Sequence, residues 1–169
     1  LGYRGARIPV ALSPDLWRDV RTVSRSENAT PFMRLLAAYK VLLYRYTGQE
    51  QLQVGSPTAN RTRPEVESLV GCFVNTLILR TDLNGRLTFR ELLARVKRVC
   101  IEAYAHQDLP FEKLVQALQP ARRLDRSPLF QTMFVLQTVP MPSVTLRDLT
   151  ASFVEIKRSI SLFDLTLEL

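Results

Sequence analysis

The sequence predicts an α/β fold in which a mixed β-sheet packs in layers against helices. Helical periodicity occurs in two pairs of segments, and about six strand-like segments surround those pairs. Three strand-like segments follow one another near the end of the chain without an intervening helix. This succession indicates that the sheet is mixed and not purely parallel.

The first helical pair has clear start and stop signals. Ser13 and Pro14 combine an N-cap residue with proline at the first helical position, and the following periodicity predicts a helix to about residue 26. Thr30 and Pro31 repeat that signal, and Gly48 can end the second helix. Apolar residues cover most of the circumference of the second helix, so we expect it to pack on several sides.

The second helical pair begins with a capping box. Thr88 and Glu91 have the spacing at which each side chain bonds the other's backbone N–H. An apolar stripe follows and predicts an amphipathic helix. The stripe consists of Phe89, Leu92, Leu93, Val96, Val99, Cys100, Ala103 and Tyr104. A shorter helix is predicted after Pro110, ending near Pro120.

The strands are predicted from alternation or from short continuous apolar runs. They are residues 8–12, 52–54, 73–83, 129–136, 153–157 and 163–169. The run at 129–136 is nearly continuous, as in a strand buried on both faces. We expect the second strand to lead into a polar loop at 55–61, and Asn84-Gly85 to end the third.

The chain has the size and composition of one globular domain. Its 169 residues are 46% hydrophobic and 23% charged. Arginine supplies most of the formal net charge of +7 and is spread along the sequence. This surplus fits acidic partners, and it fits a well-solvated surface equally well.

Cysteine usage and the absence of a recognisable signal peptide predict a cytoplasmic protein. Cys72 and Cys100 lie in hydrophobic contexts, and we expect both to be buried thiols. The most apolar segment, residues 32–46, is too short and too charged to span a membrane. We therefore predict a core helix there and no membrane partner.

The sequence pattern argues against several kinds of functional site. One histidine and two distant cysteines match no zinc spacing, and the carboxylates form no calcium loop. The glycines are isolated, so they form no phosphate-binding loop, and no serine lies in a nucleophile elbow. Residues 90–98 are basic but lack the interleaved aromatic residues of a nucleic-acid surface. We expect neither a metal ion nor nucleic acid as a partner.

The only histidine lies in the segment His106-Gln107-Asp108-Leu109-Pro110-Phe111-Glu112. A lone histidine beside a carboxylate is a candidate general base. The segment also suits a junction between helices, because His106 can end one helix and Asp108 can cap the next. Phe111 can then anchor the corner in the core. Position alone favours this structural role over catalysis.

Four sequence blocks, taken together, resemble the C-terminal lobe of condensation domains from nonribosomal peptide synthetases. The blocks are Gly55-Ser56-Pro57-Thr58-Ala59-Asn60-Arg61, Val70-Gly71-Cys72-Phe73-Val74-Asn75-Thr76, His106 to Glu112, and Arg126-Ser127-Pro128-Leu129-Phe130-Gln131. The third block matches its family motif in full, and the order and spacing of all four fit. One departure precedes the fourth block, where Arg123 replaces the usual aspartate and Asp125 the usual serine.

The resemblance implies a chloramphenicol-acetyltransferase-like two-layer sandwich. It also implies that residues 1–169 are a C-terminal lobe segment, cut at both ends from a longer domain. The family forms amide bonds with a histidine of an HHxxxDG motif in the N-terminal lobe, and this sequence has no adjacent histidines. We therefore expect the catalytic base to lie outside this chain and no catalytic residue within it.

The resemblance also implies the substrates and partners of the whole protein. Donor and acceptor thioesters would be carried on the 4′-phosphopantetheine arms of carrier proteins, with no cofactor bound directly. Expected partners are the N-terminal lobe of the same domain, peptidyl and aminoacyl carrier proteins, and an adjacent adenylation domain. This lobe would supply one wall of the tunnel in which the peptide bond forms, as in antibiotic biosynthesis.

Residue roles follow from the matched motifs. The substrate-binding candidates on the tunnel wall are Asn60, Arg61, Asn75 and Thr76. The residues expected to be structural are Gly71, Phe73, His106, Gln107, Asp108, Pro110, Phe111, Glu112, Arg126 and Pro128. Asn75 and Thr76 fit a buried pair that satisfies strand backbone equally well, and Asn60 and Arg61 can instead hold their own loop.

Two other functions within the family stay open. One is a non-catalytic, condensation-like module that recruits a partner enzyme, and the other is an epimerisation-domain lobe. Val74-Asn75-Thr76 favours ordinary condensation over epimerisation. If His106 is structural, its substitution in a complete domain is expected to lower stability more than it affects the chemistry.

Overall fold

The computed structural model describes residues 4–121, 127–137, 145–146, 149–150, 154 and 159–169. Within them, the helices are α1 Pro14–Ser26, α2 Pro31–Thr47, α3 Pro64–Glu67, α4 Phe89–Ala105 and α5 Phe111–Leu118. The strands are β1 Gln51–Thr58, β2 Asn75–Asp82, β3 Thr132–Val135, β4 Thr145–Leu146, β5 Leu149–Thr150 and β6 Leu165–Glu168. The α/β class is confirmed.

A mixed four-stranded sheet with the order β2-β1-β3-β6 forms the centre of the fold. β1 and β2 pair antiparallel along their whole length, from Gln51 opposite Asp82 to Thr58 opposite Asn75. β3 runs parallel to β1, and β6 runs parallel to β3. The predicted mixture of strand directions is therefore confirmed, and β4 and β5 form a separate antiparallel pair.

The helix boundaries follow the sequence signals. The Ser13 hydroxyl accepts a hydrogen bond from the backbone N–H of Leu16 at 3.2 Å. Gly48 follows α2 with φ of 67°, a left-handed conformation that glycine adopts without a Cβ penalty. Thr88 and Glu91 form the predicted capping box at the start of α4. Local capping chemistry thus fixes where these helices begin and end.

The main hydrophobic core lies on one face of the sheet. The inward side chains of β1, β2 and β3 pack beneath α2 and α4. They are Leu52, Val54, Leu77, Leu79 and Phe134. The Phe134 ring stacks on Tyr39 at 5.8 Å between centroids and lies 5.2 Å from Phe32. As expected, α2 packs on several sides, against α1, α4 and β1.

Lys40 brings a cationic group into this core. Its side chain is fully buried, and its Nζ donates hydrogen bonds to the Leu79 carbonyl at 2.5 Å and to Thr81 Oγ1 at 2.7 Å. Burial lowers the pKa of the ammonium from 10.5 to about 7, although the charges of Cys100 and Asp82 oppose this shift. The Lys40 amine therefore links α2 to β2, and its burial disfavours the charged ammonium form.

Several predicted boundaries were wrong. Residues 8–12 form no strand, and Ile8 and Val10 are 82% and 61% exposed. A strand needs a neighbour to bond its backbone, and the described residues provide none there. The predicted polar loop after residue 54 begins late, because β1 continues to Thr58 by pairing with β2.

Other strand predictions were too long or lie outside the described residues. β2 begins at Asn75, and β3 spans only Thr132–Val135 because Leu129, with φ of 71°, breaks the extended backbone before it. The predicted strand at 153–157 lies largely outside the described residues. Cys100 is buried as expected, but the expectation for Cys72 was wrong, because this thiol is exposed.

None of the described helices is both long enough and apolar enough to cross a bilayer.

The buried Lys40 amine predicts a specific pH dependence of stability. Above pH 7 the folded chain loses the Lys40 proton, whereas the unfolded chain keeps it up to its pKa of 10.5. Raising the pH within this window therefore favours folding, by up to about 1.4 kcal/mol per pH unit. We expect the free energy of unfolding, measured with urea, to rise from about pH 7 to about pH 8.5.

The measurement ends at about pH 8.5 so that ionisation of the Cys100 thiol does not contribute to the change in stability. Burial raises the pKa of Cys100 from 9.0 to about 11, so its ionisation in the unfolded chain opposes folding above about pH 9. Lys40→Met should abolish the rise, and Lys113→Met, at an exposed position, should preserve it. An equal rise in all three proteins would show that Lys40 is not its source.

Candidate functional site

Three of the four sequence blocks meet where the β1–β2 ladder ends. Thr58, from the first block, lies opposite Asn75, from the second. The turn between α4 and α5, from the third, lies against both residues. We call this region the motif junction: Thr58, Asn75 and the turn at 106–111. Pairing of β1 with β2 brings Thr58 opposite Asn75. Hydrogen bonds then join these residues to Gln107, which lies 49 and 32 positions later in the sequence.

The Asn75 carboxamide makes the central contacts of the motif junction. Its Nδ2 donates to the Gln107 carbonyl at 2.8 Å and to the Leu109 carbonyl at 2.7 Å. Its Oδ1 accepts from the backbone N–H of Phe111 at 3.1 Å. Phe111 is the first residue of α5, and helix starts leave such N–H groups without an intrahelical partner. One side chain thus satisfies three backbone groups of the turn.

Gln107 ties the same turn to the first block. Its Oε1 accepts a hydrogen bond from Thr58 Oγ1 at 2.9 Å. Neighbouring positions at the end of the ladder, Thr58 and Asn75, therefore both hold this residue. Thr58 bonds the side chain of Gln107, and Asn75 bonds its carbonyl.

Arg61 organises the segment between β1 and β2. Its guanidinium donates to the carbonyls of Val66 and Glu67, and to that of Gly71 at 3.1 Å. The same group lies 4.3 Å from the centroid of the Phe73 ring, a cation–π distance. Most of the hydrogen-bonding capacity of Arg61 is thereby used within its own segment, so the residue holds its own loop.

The fourth block reaches the motif junction through an aromatic contact. The Phe130 ring packs edge-on against Phe111 at 5.8 Å and stacks on Phe163 at 5.2 Å. It also lies directly against Gly55, where any Cβ would overlap the ring. Glycine is therefore required at that position of β1. Of the same block, Arg126 lies outside the described residues, and Pro128 is exposed.

His106 itself makes few contacts. Its backbone N–H bonds the Ala103 carbonyl as α4 ends, but its side chain is exposed and has no hydrogen-bond partner in the described part of the chain. The expected cap by Asp108 was wrong: Pro110 holds the N-cap position of α5, and no side chain caps it. Glu112 is exposed in the first turn of α5, where its charge suits the helix dipole.

The remaining tunnel-wall candidates, Thr76 and Asn60, have side-chain polar atoms without a partner in the described part of the chain. Thr76 is half-buried opposite Pro57, and no bond of its hydroxyl is seen among the described residues. Asn60 has a left-handed φ of 52°, and its Oδ1 is buried without a partner in that same part of the chain. Both side chains therefore keep unused hydrogen-bonding capacity, whereas Asn75 and Arg61 keep little.

An exposed apolar surface lies next to the motif junction. Val70 and Val74 precede β2 and are 105% and 62% exposed, and Leu109 in the turn is 51% exposed. Large apolar side chains grouped at the surface mark places where another surface packs. Among the described residues, no group of histidine, cysteine and carboxylate side chains is arranged to hold a metal ion.

Sequence reasoning identified the residues of the motif junction but not their partners. The contacts of Thr58 were missed, because no local pattern links a strand hydroxyl to a glutamine 49 positions later. The hydrogen-bond partners of Arg61 lie within ten residues and the Phe73 ring lies twelve residues away, so an arginine shortly before a proline-started helix is a usable signal for them. The geometry thus describes a folded junction that presents an exposed histidine and an apolar surface.

An α/β lobe in which these motifs converge is the architecture of the chloramphenicol-acetyltransferase-like class. The family model for the condensation domain matches residues 2–169, and the chain belongs to the condensation-domain family. It is 60% identical over 135 residues to one of the subunits of linear gramicidin synthase from Brevibacillus parabrevis. That match covers 80% of this chain but only 3% of the synthase polypeptide.

Solved structures agree with this assignment. The condensation domain of the Monacolin K polyketide synthase MokA is 33% identical, with a TM-score of 0.70, over 76% of this chain and 30% of that one. The X-domain from teicoplanin biosynthesis is 28% identical, with a TM-score of 0.79, over 87% of this chain and 33% of that one. The fold expected from the resemblance is confirmed.

The Asn75 contacts predict a loss of stability on substitution. Asn75→Ala removes three hydrogen bonds to backbone groups and should lower the free energy of unfolding by about 2 kcal/mol. Asn75→Asp should lower it at least as much, because a carboxylate oxygen would face two carbonyl oxygens. Asn84→Ala is the matched control, since Asn84 accepts one bond in an exposed turn, and should change it by about 0.5 kcal/mol or less. Equal effects at both asparagines would contradict this role.

The exposure of His106 revises the expected effect of its substitution. Without a side-chain bond in the described residues, His106→Ala should change the free energy of unfolding of this chain by less than about 0.5 kcal/mol. Chemical denaturation measures this directly. A loss above about 1.5 kcal/mol would restore the original expectation that the imidazole stabilises the junction.

Proposed function

We propose that this chain is part of the C-terminal lobe of a condensation domain that forms amide bonds between carrier-bound donor and acceptor thioesters. The observation that supports the proposal most strongly is the convergence of the sequence blocks on the motif junction. The same blocks carry the resemblance to the peptide synthetases, and in the fold they form one connected structure.

The catalytic base of such a domain would lie outside this chain. A histidine that acts as general base is commonly held in one tautomer by a hydrogen bond to its second ring nitrogen. His106 has no such partner in the described residues, and the sequence has no second histidine. The lobe would then contribute positioning, which can supply several kcal/mol of barrier reduction without proton transfer.

Hydrogen-bonding capacity separates the candidates for the tunnel wall. Both N–H groups of the Asn75 carboxamide are already donated, and its oxygen accepts one bond. Asn75 would therefore position the turn, and Thr76 and Asn60 would be better placed to meet substrate or the other lobe. The 4′-phosphopantetheine arms of carrier proteins are the proposed carriers of that substrate.

The exposed apolar surface at Val70, Val74 and Leu109 is the proposed contact with the rest of the domain. Leaving these side chains in water is unfavourable by roughly 25 cal/mol per Å² of apolar area, which packing against an N-terminal lobe would recover. Carrier proteins and an adjacent adenylation domain are the further partners proposed for the whole protein in the cytoplasm.

A recruiting module is the second candidate function. The observation that favours it is the likeness to the teicoplanin X-domain, which has also been solved in complex with OxyB. A module of this kind would bind a partner enzyme without forming amide bonds. The higher identity to a gramicidin synthase polypeptide favours condensation.

Turnover by the full-length protein distinguishes these functions. With an acyl-carrier donor and an aminoacyl-carrier acceptor, the full-length protein should yield amide product, measured by mass spectrometry, and the isolated chain should yield none. Thr76→Val in the full-length protein should lower turnover about tenfold if its hydroxyl contacts the substrate, while Thr166→Val, exposed on β6, should not.

Three outcomes would count against the proposal. Amide formation by the isolated chain would show that the base lies within it. A full-length protein that forms no amide but binds a partner enzyme would support the recruiting module. Equal turnover by Thr76→Val and the unmodified protein would remove Thr76 from the tunnel wall.

A further inference from the structure

Helix α1 carries an arginine-lined groove on a largely exposed face. The groove is lined by Pro14, Trp17, Arg18, Arg21, Thr22 and Arg25. These positions recur at intervals of three and four residues, so they form one stripe along the helix. Arg18 and Arg25 are seven residues apart, which places their Cα atoms about 10 Å apart along the axis.

Within the residues that the structure describes, two of the groove's three arginines are unpaired. Arg18 bonds the Asp15 carboxylate at 2.9 Å, but Arg21 and Arg25 have no acidic, carbonyl or aromatic partner in the described part of the chain. Glu27, the residue that follows the helix, is already bonded to Arg90 at 3.0 Å. Like charges placed three and four positions apart repel, so the stripe is destabilising unless an anion neutralises it.

Arginines elsewhere on the chain are often used within the fold. Arg61 bonds its own segment, Arg95 donates to the Asp82 carbonyl at 3.0 Å, and Arg98 lies 4.0 Å from Glu102. Arg21 and Arg25 are set apart by their alignment on one stripe of α1 and by the half-buried Trp17 ring in the same groove. An indole next to guanidinium groups adds an apolar contact to an otherwise polar groove.

We propose that this face of α1 is a docking surface for an acidic protein segment. The occupant follows from charge complementarity and length. A single phosphate group is too small to reach charges spread over about 10 Å, whereas carboxylates repeated along an extended or helical segment match that spacing. This inference is independent of the proposed condensation activity, because the groove lies on α1 and shares no residue with the motif junction.

The fluorescence of Trp17 reports binding to the groove, because Trp17 is the only tryptophan in the chain. A twelve-residue peptide rich in glutamate and leucine is titrated into the chain while Trp17 emission is recorded, with a glutamine-for-glutamate peptide as the matched ligand. We expect saturable binding of the glutamate peptide, weakening as salt is raised from about 20 to about 300 mM, and no binding of the glutamine peptide.

Charge reversal locates the site. R21E/R25E should weaken binding about tenfold or more, because it removes two ion pairs and adds repulsion. R63E/R86E makes the same change in net charge at exposed positions away from α1 and should alter binding less than twofold. Circular dichroism and the unfolding transition verify that both variants fold.

Three results would overturn the docking surface. Equal loss in the two double variants would show unspecific attraction to a basic protein. Competition by inorganic phosphate at the same low concentration would assign the groove to a small anion. Tighter binding of a DNA duplex than of the acidic peptide, lost in R21E/R25E, would assign it to nucleic acid.

Discussion

The carboxamide of Asn75 joins the end of a strand to the turn between two helices. It does so through backbone groups, the carbonyls of Gln107 and Leu109 and the N–H of Phe111. Backbone groups at helix ends need partners, and at this turn the partner comes from another part of the fold. The path of the chain from α4 to α5 therefore depends on β2 being in place, and β2 depends on its full-length pairing with β1.

This dependence explains why the motif residues form one structure. Phe111, placed by Asn75, meets Phe130, and Phe130 fits only because Gly55 has no side chain. Most conspicuous side chains of the family motifs thus hold the fold together, and comparatively few remain for another molecule. His106 and Asp108 are exceptions in the turn, because both are exposed and neither side chain has a partner among the described residues.

The sequence predicted local features well and long-range ones poorly. The capping residues Ser13, Thr30 and Thr88 act within one helical turn, so their effect is visible in the sequence. The alternation at 8–12 predicted a strand that is absent, because strands depend on neighbours that alternation does not supply. The burial of Lys40 was not foreseen either, since its acceptors lie 39 and 41 residues away.

Amide hydrogen exchange at Phe111, followed by NMR, tests the role of Asn75 most directly. The Phe111 N–H should be protected in the unmodified chain and lose most of that protection in Asn75→Ala. The Leu114 N–H, bonded to the Pro110 carbonyl within α5, should stay protected in both. An unchanged exchange rate at Phe111 would show that the turn holds its shape without Asn75, and would contradict the dependence of the motif junction on this side chain.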